Sequence, residues 1–502
     1  MTPPKPWPAP VAAGRLDASV RLPGSKSLTA RYLLLAAFAR GPSRIRGALR
    51  ARDSELMSQG LARLGAGVTW VSPDLVEVVP PAGGSPASAG PSRGRTTGWA
   101  IPGWAIPKRQ SPGPAASPTA ASPDAAASPT AASPDAAGGA PPAAAGRAPD
   151  STVPGAAIDV GLAGTVMRFL APAAALATGR FSFGGDPAAA GRPIRPLLRA
   201  LADLGVEVVW PPAGRSLPFA VHGRGGVAGG SVRLDASASS QFLSALLASA
   251  PRFDRGLRVE LDPPELPSRP HVELTVTALT RFGARAEQTG EWSWRVQPGG
   301  LAGQDLAVEP DLSNAAPFLA AALVAGGQVR VPDWPRRTDQ AGDRLREYLA
   351  AYGAEVAWSP GPTADQGVLS VSAPGGTISG VELDLSPAGE LTPTLAALAA
   401  LAESPSRLVG IGHLRGHETN RLAALTCEIN RLGGDARELA DGIEIHPAPL
   451  RGGLARTYGD HRMAAFAALI GLATPGVLVE DVGVTAKTLP GFAALWQAMV
   501  AE

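Results

Sequence analysis

The 502 residues are 45% hydrophobic and carry a formal charge of only +2, which is enough apolar material for more than one core and leaves no strong net field. The most apolar stretches, such as AAFAALIGLATPGVLVE, are broken by Thr, Pro and Gly short of the roughly 20 residues a spanning helix needs, and no Lys/Arg block is interleaved with aromatics. A membrane protein and a nucleic-acid binder are therefore not expected; the single cysteine, Cys427, and an opening MTPPKPWPAP without a basic-then-apolar leader point to a soluble cytoplasmic protein.

Along the chain, LDASVRLPG reads as a strand that leads into SKSLTARYLLLAAFA, a helix apolar on nearly every face and entered through a polar cluster. LARLGAGVTWV then ends a second, amphipathic helix in glycine and continues as a strand. From about Gly83 to Gly155 the composition shifts to Ala, Pro, Ser and Gly, with AASPTAASPDA twice in succession from Ala115. Such a segment cannot bury enough apolar surface to offset its chain entropy, so residues 84–154 are expected to be a disordered, low-complexity insertion. Beyond it the same two-helix pattern returns. LADLGVEVVW, LTRFGARAEQ, LAAYGAEVAW and INRLGGDARE repeat the first amphipathic ending, starting at residues 201, 279, 349 and 429 against 61. The glycine suits a left-handed helix cap and the residues after it suit a strand. GLAGTVMRFLAPAAALA, SSQFLSALLASA, SNAAPFLAAALVAG, ELTPTLAALAALA and GDHRMAAFAALIGLA repeat the apolar helix, and a helix apolar all round is a buried one. Six copies of a helix-and-strand unit are expected, the last closed by FAALWQAM. Its missing strand would come from the N-terminal LDASVRLPG, so the ends of the chain would share a unit.

All six buried-helix starts are polar, and a helix start offers free N–H groups and the positive end of its dipole to an anion. Single serines there also serve as ordinary caps. The positive charge is almost all arginine: lysine stands only at Lys5, Lys26, Lys108 and Lys487. A lysine kept at a helix start in such a chain can do what a planar, permanently charged guanidinium cannot. No Walker loop surrounds it, because that motif needs glycine where Val20 and Ser25 stand. Lys26, Arg31, Arg168, Arg192, Arg421, Arg462 and Lys487 all sit in loops or helix starts, and together they would suit ligands with several negative charges. GHETNR sets His417, Glu418 and Arg421 at what reads as a helix start. No metal signature fits: His413 and His417 are four apart without a third ligand. Cys427, inside ALTCEINRLG, reads as a small core residue.

In this order LPGSKSLTAR, AGTVMR, GRPI, DASASSQFL, HETNRL, GDHRMA and TAKTLPG resemble the 5-enolpyruvylshikimate-3-phosphate synthase family, over the whole chain except the insertion. The resemblance implies an α/β fold, the two-domain inside-out barrel of enolpyruvyl transferases, with three units per domain. Residues 1–24 and 310–502 would form one domain and 25–309 the other, with crossings near Gly24 and Pro310 and the active site in the cleft. It implies transfer of the enolpyruvyl group of phosphoenolpyruvate to the 5-hydroxyl of shikimate 3-phosphate, by a monomer without cofactor or metal. Glyphosate would compete with phosphoenolpyruvate beside Gly164.

Carried over by motif, the catalytic positions are Lys26, Glu390, Glu418 and His461. Lys26, Ser27, Arg31, Ser239, Ser240, Gln241, Ser268, Glu390 and His417 would hold shikimate 3-phosphate. Lys26, Gly164, Arg192, Gln241, Arg421, Arg462 and Lys487 would hold phosphoenolpyruvate. Glu418 would protonate the methylene carbon and Glu390 would take the hydroxyl proton. The chain departs from the family pattern at Leu162 and His413, where asparagine is common, at His417, where lysine is common, and at Phe169, where proline is. Two readings stay beside this one: the sister transferase acting on UDP-N-acetylglucosamine, and an inactive anion-binding scaffold of the same fold.

Overall fold

The amphipathic endings fold as their spacing predicts. Gly65, Gly205, Gly283, Gly353 and Gly433 have φ of 98°, 86°, 85°, 103° and 94°, the left-handed conformation in which a side chain is strained. The computed structural model describes residues 5–81, 155–373 and 376–502, and the predicted insertion at 84–154 lies outside them. Among the described residues twelve α-helices alternate between buried and outer: α1 (Lys26–Phe38), α2 (Arg52–Arg63), α3 (Gly164–Leu176), α4 (Arg195–Asp203), α5 (Gln241–Ser249), α6 (Pro270–Arg281), α7 (Leu312–Ala325), α8 (Leu345–Ala351), α9 (Thr392–Ala400), α10 (Arg421–Arg431), α11 (His461–Gly471) and α12 (Phe492–Ala501). None is long and apolar enough to cross a membrane.

The same unit recurs around each buried helix. In one copy the strand Ala156–Asp159 precedes α3, the parallel strand Thr178–Gly184 follows it, and after α4 a hairpin of Glu207–Val209 and Phe219–Arg224 completes a four-stranded sheet. Five sheets of the described residues have four strands and one has three. Two strands are exchanged. Leu16–Ser19 pairs parallel with Gly327–Pro335, the strand after α7, while Asp305–Ala307 pairs parallel with Ser43–Arg46, the strand after α1. The chain thus leaves one sheet to begin a helix in another group of units, once on each pass.

The two passes touch where they cross. Gly24 and Pro310 form an antiparallel bridge, with Ser25 N–H donating to Glu309 O at 2.7 Å and Asp311 N–H to Pro23 O at 2.9 Å. Gly24 is required by close approach: a Cβ there would lie 1.9 Å from the Gly47 carbonyl oxygen. On either side of the crossing lies a separate apolar core. One gathers α1, α3 and α5, from Leu28 to Val308; the other gathers α7, α9 and α11 with Ala9, Leu16 and Ala18.

Three expectations need correction. The last sheet, Gly453–Ala455 with Val477–Val479, is completed by Trp7–Pro8 in antiparallel pairing and not by LDASVRLPG, whose alternating buried and exposed residues fit the first-strand position beside Gly327–Pro335. The chain ends still share a unit. Cys427 is exposed, because α10 buries Leu422, Leu425 and Ile429 and turns Cys427 outward, where Arg431 Nη2 approaches its Sγ at 3.5 Å. His417 and Glu418 precede α10, which begins at Arg421 behind the capping Asn420.

Candidate active site

The starts of α1, α3, α5, α7 and α11, with the turn before α9, open onto one cleft enclosing about 1180 Å³, part of it continuous with solvent. Several are capped by their own side chains: Ser25 accepts from Leu28 N–H, Asp311 from Asn314 N–H and Asp460 from Arg462 N–H. Five helix dipoles therefore point at the same volume. Lys26, Arg168, Arg192, Arg421 and Arg462 line it, with the carboxylates Asp53, Asp311, Glu390 and Glu418 among them.

Glu418 is the centre of a cation cluster. Lys487 Nζ stands 2.8 Å from its Oε1, Arg421 Nη2 donates to Oε2 at 2.8 Å, and Arg192 Nη2 is 3.9 Å from Oε1. Burial acts to raise its pKa, but Lys487, Arg421 and Arg192 outweigh burial and hold the carboxyl well below the usual range. Arg421, 2% exposed, also makes a two-pronged pair with the fully buried Asp460, at 2.7 and 3.1 Å, and reaches His417 Nδ1 at 3.3 Å. Asp460 thus caps α11 and fixes Arg421 at once.

Arg192 donates through Nη1 to the Leu162 carbonyl at 2.7 Å, a backbone contact indifferent to the side chain at that position, and its buried Nε has no partner. Arg168 reaches Pro193 O and, at 2.8 Å, Gln241 Oε1. Gly164 packs between the two guanidiniums: an added Cβ would meet Arg192 at 3.1 Å and Arg168 at 3.2 Å. Lys26 sits 3.5 Å from Asp53 Oδ2, while its backbone N–H donates to Asp311 Oδ2. Desolvation lowers the Lys26 pKa, aided by Lys487 and Arg462 and opposed by Asp53 and Glu418.

Across the cleft, Glu390 Oε1 accepts from Ser313 Oγ at 3.3 Å and lies 3.8 Å from His271 Nε2. Burial raises its pKa, yet His271, Arg462, its own backbone N–H and Ser313 prevail, so it too titrates low. His461 is pushed well below its ordinary pKa by desolvation and then by Arg462, and its buried Nδ1 has no hydrogen-bond partner. His417 is depressed likewise, by desolvation and Arg421.

Ser27, Ser239, Ser240, Gln241 and Ser268 also line the cleft. Arg31 does not. Its Nε, Nη1 and Nη2 donate to Thr275 Oγ1, Ser27 O and His271 O, and its guanidinium lies 5.3 Å from the Phe169 ring centroid, so it stands behind the wall. Asp53, His271, Asp311, Ser313 and Gln340 are lining residues that the motifs did not single out. Ser313 belonged to a polar helix start already noticed, and Asp311 lies two residues before it; nothing local marks Gln340, which reaches the cleft by bonding Pro310 O and Glu309 Oε2.

Residues 11–101 and 143–496 match the family model described as EPSP synthase (3-phosphoshikimate 1-carboxyvinyltransferase). The chain belongs to the EPSP synthase family. A 3-phosphoshikimate 1-carboxyvinyltransferase of Kocuria rhizophila is 47% identical over 497 residues, covering 98% of this chain and 96% of that protein. The fold is similar to an EPSP synthase of Acinetobacter baumannii, with a TM-score of 0.70 at 20% identity over 97% of each chain. It is also similar to the enolpyruvyl transferase NikO of Streptomyces tendae, with a TM-score of 0.64 at 16% identity over 97% and 96%. The mixed α/β architecture of small sheets around buried helices is thus an enolpyruvyl transferase fold. The family match leaves out residues 102–142, within the segment whose composition set it apart.

Proposed function

We propose that the chain transfers the enolpyruvyl group of phosphoenolpyruvate to the 5-hydroxyl of shikimate 3-phosphate and releases phosphate. Beside membership of the EPSP synthase family, the observation that carries this is the cation cluster on Glu418 in a cleft fed by five helix starts. Each substrate carries a phosphate ester and a carboxylate, and such a cleft suits two ligands with two anionic groups apiece, side by side.

Arg192, Arg421, Arg462 and Lys487 grip phosphoenolpyruvate, with Gly164 and Gln241 on its walls. Ser27, Ser239, Ser240 and Ser268 hold shikimate 3-phosphate, with His417 beside it and Arg31 supporting Ser27 from behind. Lys26 lies between the two, where a compact ammonium bridges anions that a guanidinium would push apart. Glu390, ionised in its surroundings, takes the proton of the 5-hydroxyl as that oxygen bonds to the central carbon of phosphoenolpyruvate. Glu418 gives a proton to the methylene carbon, which becomes a methyl group. In the tetrahedral adduct the methyl proton then returns to Glu418 as the carbon–oxygen bond to phosphate breaks, and the departing phosphate takes up the proton that Glu390 had removed from the 5-hydroxyl, so it leaves as hydrogen phosphate and both carboxyl groups regain their starting forms. His461, kept neutral by desolvation and Arg462, lines the cleft beside the reacting groups.

Lys487, Arg421 and Arg192 hold Glu418 as a carboxylate, and it must carry a proton to act. The arrangement supplies the means: phosphoenolpyruvate draws on the cations that hold Glu418 ionised, and once they are shared its pKa rises. Glu418 thus stands in for the substrate's negative charge until the substrate arrives.

The two cores and the paired crossing at Gly24 and Pro310 support division into two domains, 1–24 with 310–502 and 25–309, as an inside-out barrel with the cleft between them. The test of function is phosphate release from phosphoenolpyruvate with shikimate 3-phosphate and UDP-N-acetylglucosamine supplied separately. Release only with the first is expected; release with the second, or with neither, overturns the assignment.

A further inference from the structure

Ser268 is one of three non-glycine residues among those described with positive φ, at 51°, and it is buried against the cleft. A serine held in the left-handed region persists only where its surroundings over-determine it. The chain before it offers little support: Asp262–Glu265 are exposed, and only Leu266 packs on the core. The chain after it is firmly held. Arg269 is the N-cap of α6, Pro270 fixes the next φ, and Ser268 O accepts from His271 N–H at 3.0 Å, so the first turn of α6 sets both cleft residues.

The Arg269 side chain turns away from the cleft onto the hairpin of Ala286–Gly290 and Ser293–Val296. Its Cζ lies 5.4 Å from the Trp292 ring centroid and 5.8 Å from that of Trp294, and Nη2 donates to Glu291 O at 2.5 Å. Trp294 is 2% exposed, and the half-buried Trp292, in the turn between the two strands, packs against the same core, so both indoles are held in place. A guanidinium held by ring faces and a carbonyl has a defined direction, and it carries its own Cα with it.

We infer that Arg269, clamped on Trp292 and Trp294, is a positioning residue that holds Ser268 in its left-handed conformation and so sets the affinity of the cleft for shikimate 3-phosphate. This rests on the proposed role of Ser268. The contact of Ser268 with shikimate 3-phosphate is made with a part of the substrate that does not react, so its loss weakens binding of one substrate and leaves chemistry and the other substrate unaffected.

The experiment is steady-state kinetics of Arg269→Ala, Arg269→Lys, Trp292→Leu, Ser268→Ala and the Arg269→Ala/Ser268→Ala double variant, each checked for folding by thermal melting. Arg269→Ala is expected to raise KM for shikimate 3-phosphate about tenfold, with KM for phosphoenolpyruvate and kcat within about twofold. Trp292→Leu should give a smaller rise of the same kind, and Arg269→Lys, which keeps the cation, should recover part of the loss. Because Arg269 acts through Ser268, its replacement should add little in the Ser268→Ala background. Full additivity there, or a parallel rise in both KM values, overturns the clamp. If Ser268→Ala alone leaves KM for shikimate 3-phosphate unchanged, it is the role of Ser268 that fails, and the inference with it.

Discussion

Lys487 Nζ and Glu418 Oε1 are 2.8 Å apart, with side chains only 10% and 7% exposed, and this pair sets the ionisation of the proposed proton donor. Deleting the side chain would add a cavity to the loss of charge, so the informative change keeps the shape and removes only the charge. Glu418→Gln should lower kcat by about 100-fold or more. Phosphoenolpyruvate should bind as well as before or better, since a carboxylate competing for Lys487, Arg421 and Arg192 has been neutralised. Weakened binding at normal kcat would remove Glu418 from the chemistry.

The same pair predicts proton uptake. Calorimetric titration with phosphoenolpyruvate, in buffers of different ionisation enthalpy and with shikimate 3-phosphate lacking its 5-hydroxyl as an unreactive partner, measures it. The wild type should take up about half to one proton more than Glu418→Gln, because sharing its cations lets Glu418 protonate. Equal uptake by the two proteins would show that the substrate does not load Glu418.

Lys26 and Asp53 make a second test. Lys26→Arg keeps the charge but should lose activity by about 100-fold, since a guanidinium neither fits between two anions nor gives up a proton. Asp53→Asn removes an attraction that raises the Lys26 pKa against desolvation, Lys487 and Arg462. The alkaline limb of the pH profile of kcat/KM should therefore move to lower pH. A limb that stays in place would mean Asp53 does not hold the Lys26 proton.

Gly164→Ala places a methyl 3.1 Å from the Arg192 guanidinium, tighter than ordinary contact. Arg192 must shift, so KM for phosphoenolpyruvate should rise a few-fold, and the inhibition constant of the longer glyphosate should rise by about tenfold or more. Equal changes in the two constants would show that Gly164 acts through Arg192 alone and not through the space beside it.

Stability should depend on pH through buried imidazoles. His461 and His417 titrate well below their ordinary 6.5 when folded, because burial penalises the charged form. Below about pH 6.5 the unfolded chain then binds more protons than the folded one, and stability is lost as pH falls, by up to about 1.4 kcal/mol per pH unit for each histidine. Glu390 and Glu418 add their loss only lower, below about pH 4.5, where the unfolded carboxylates protonate first. The melting temperature should drop from about pH 7 to pH 5, and less steeply in His461→Gln; a flat profile would contradict the burial of neutral imidazoles.

The residues that carry this chemistry were visible to different depths. Lys26, Arg192, Glu418, Arg462 and Lys487 stand in motifs whose types already speak of anions. Arg31 stands in such a motif too, but Thr275 and the His271 carbonyl, more than two hundred residues away, claim its donors. Gln340 and Asp53 have no signal around them at all. Each enters the cleft through a partner distant in sequence, Pro310 for one and Lys26 for the other.

By itself the sequence determined what lies within a turn or two of the chain: six buried helices from their unbroken apolar surface, five outer helices from the glycine that ends them, and polar starts rich in arginine. These features arise from local geometry, because helix period and left-handed φ are properties of neighbouring residues. Tertiary structure alone decided that the starts of helices from both cores face one cleft, that Leu16–Ser19 and Asp305–Ala307 change places between sheets, that Trp7–Pro8 completes the last one, and that Cys427 faces solvent. Those outcomes turn on which distant surfaces exclude water together, and on charges such as Glu418 and Lys487 that meet across 69 residues only after that burial is complete.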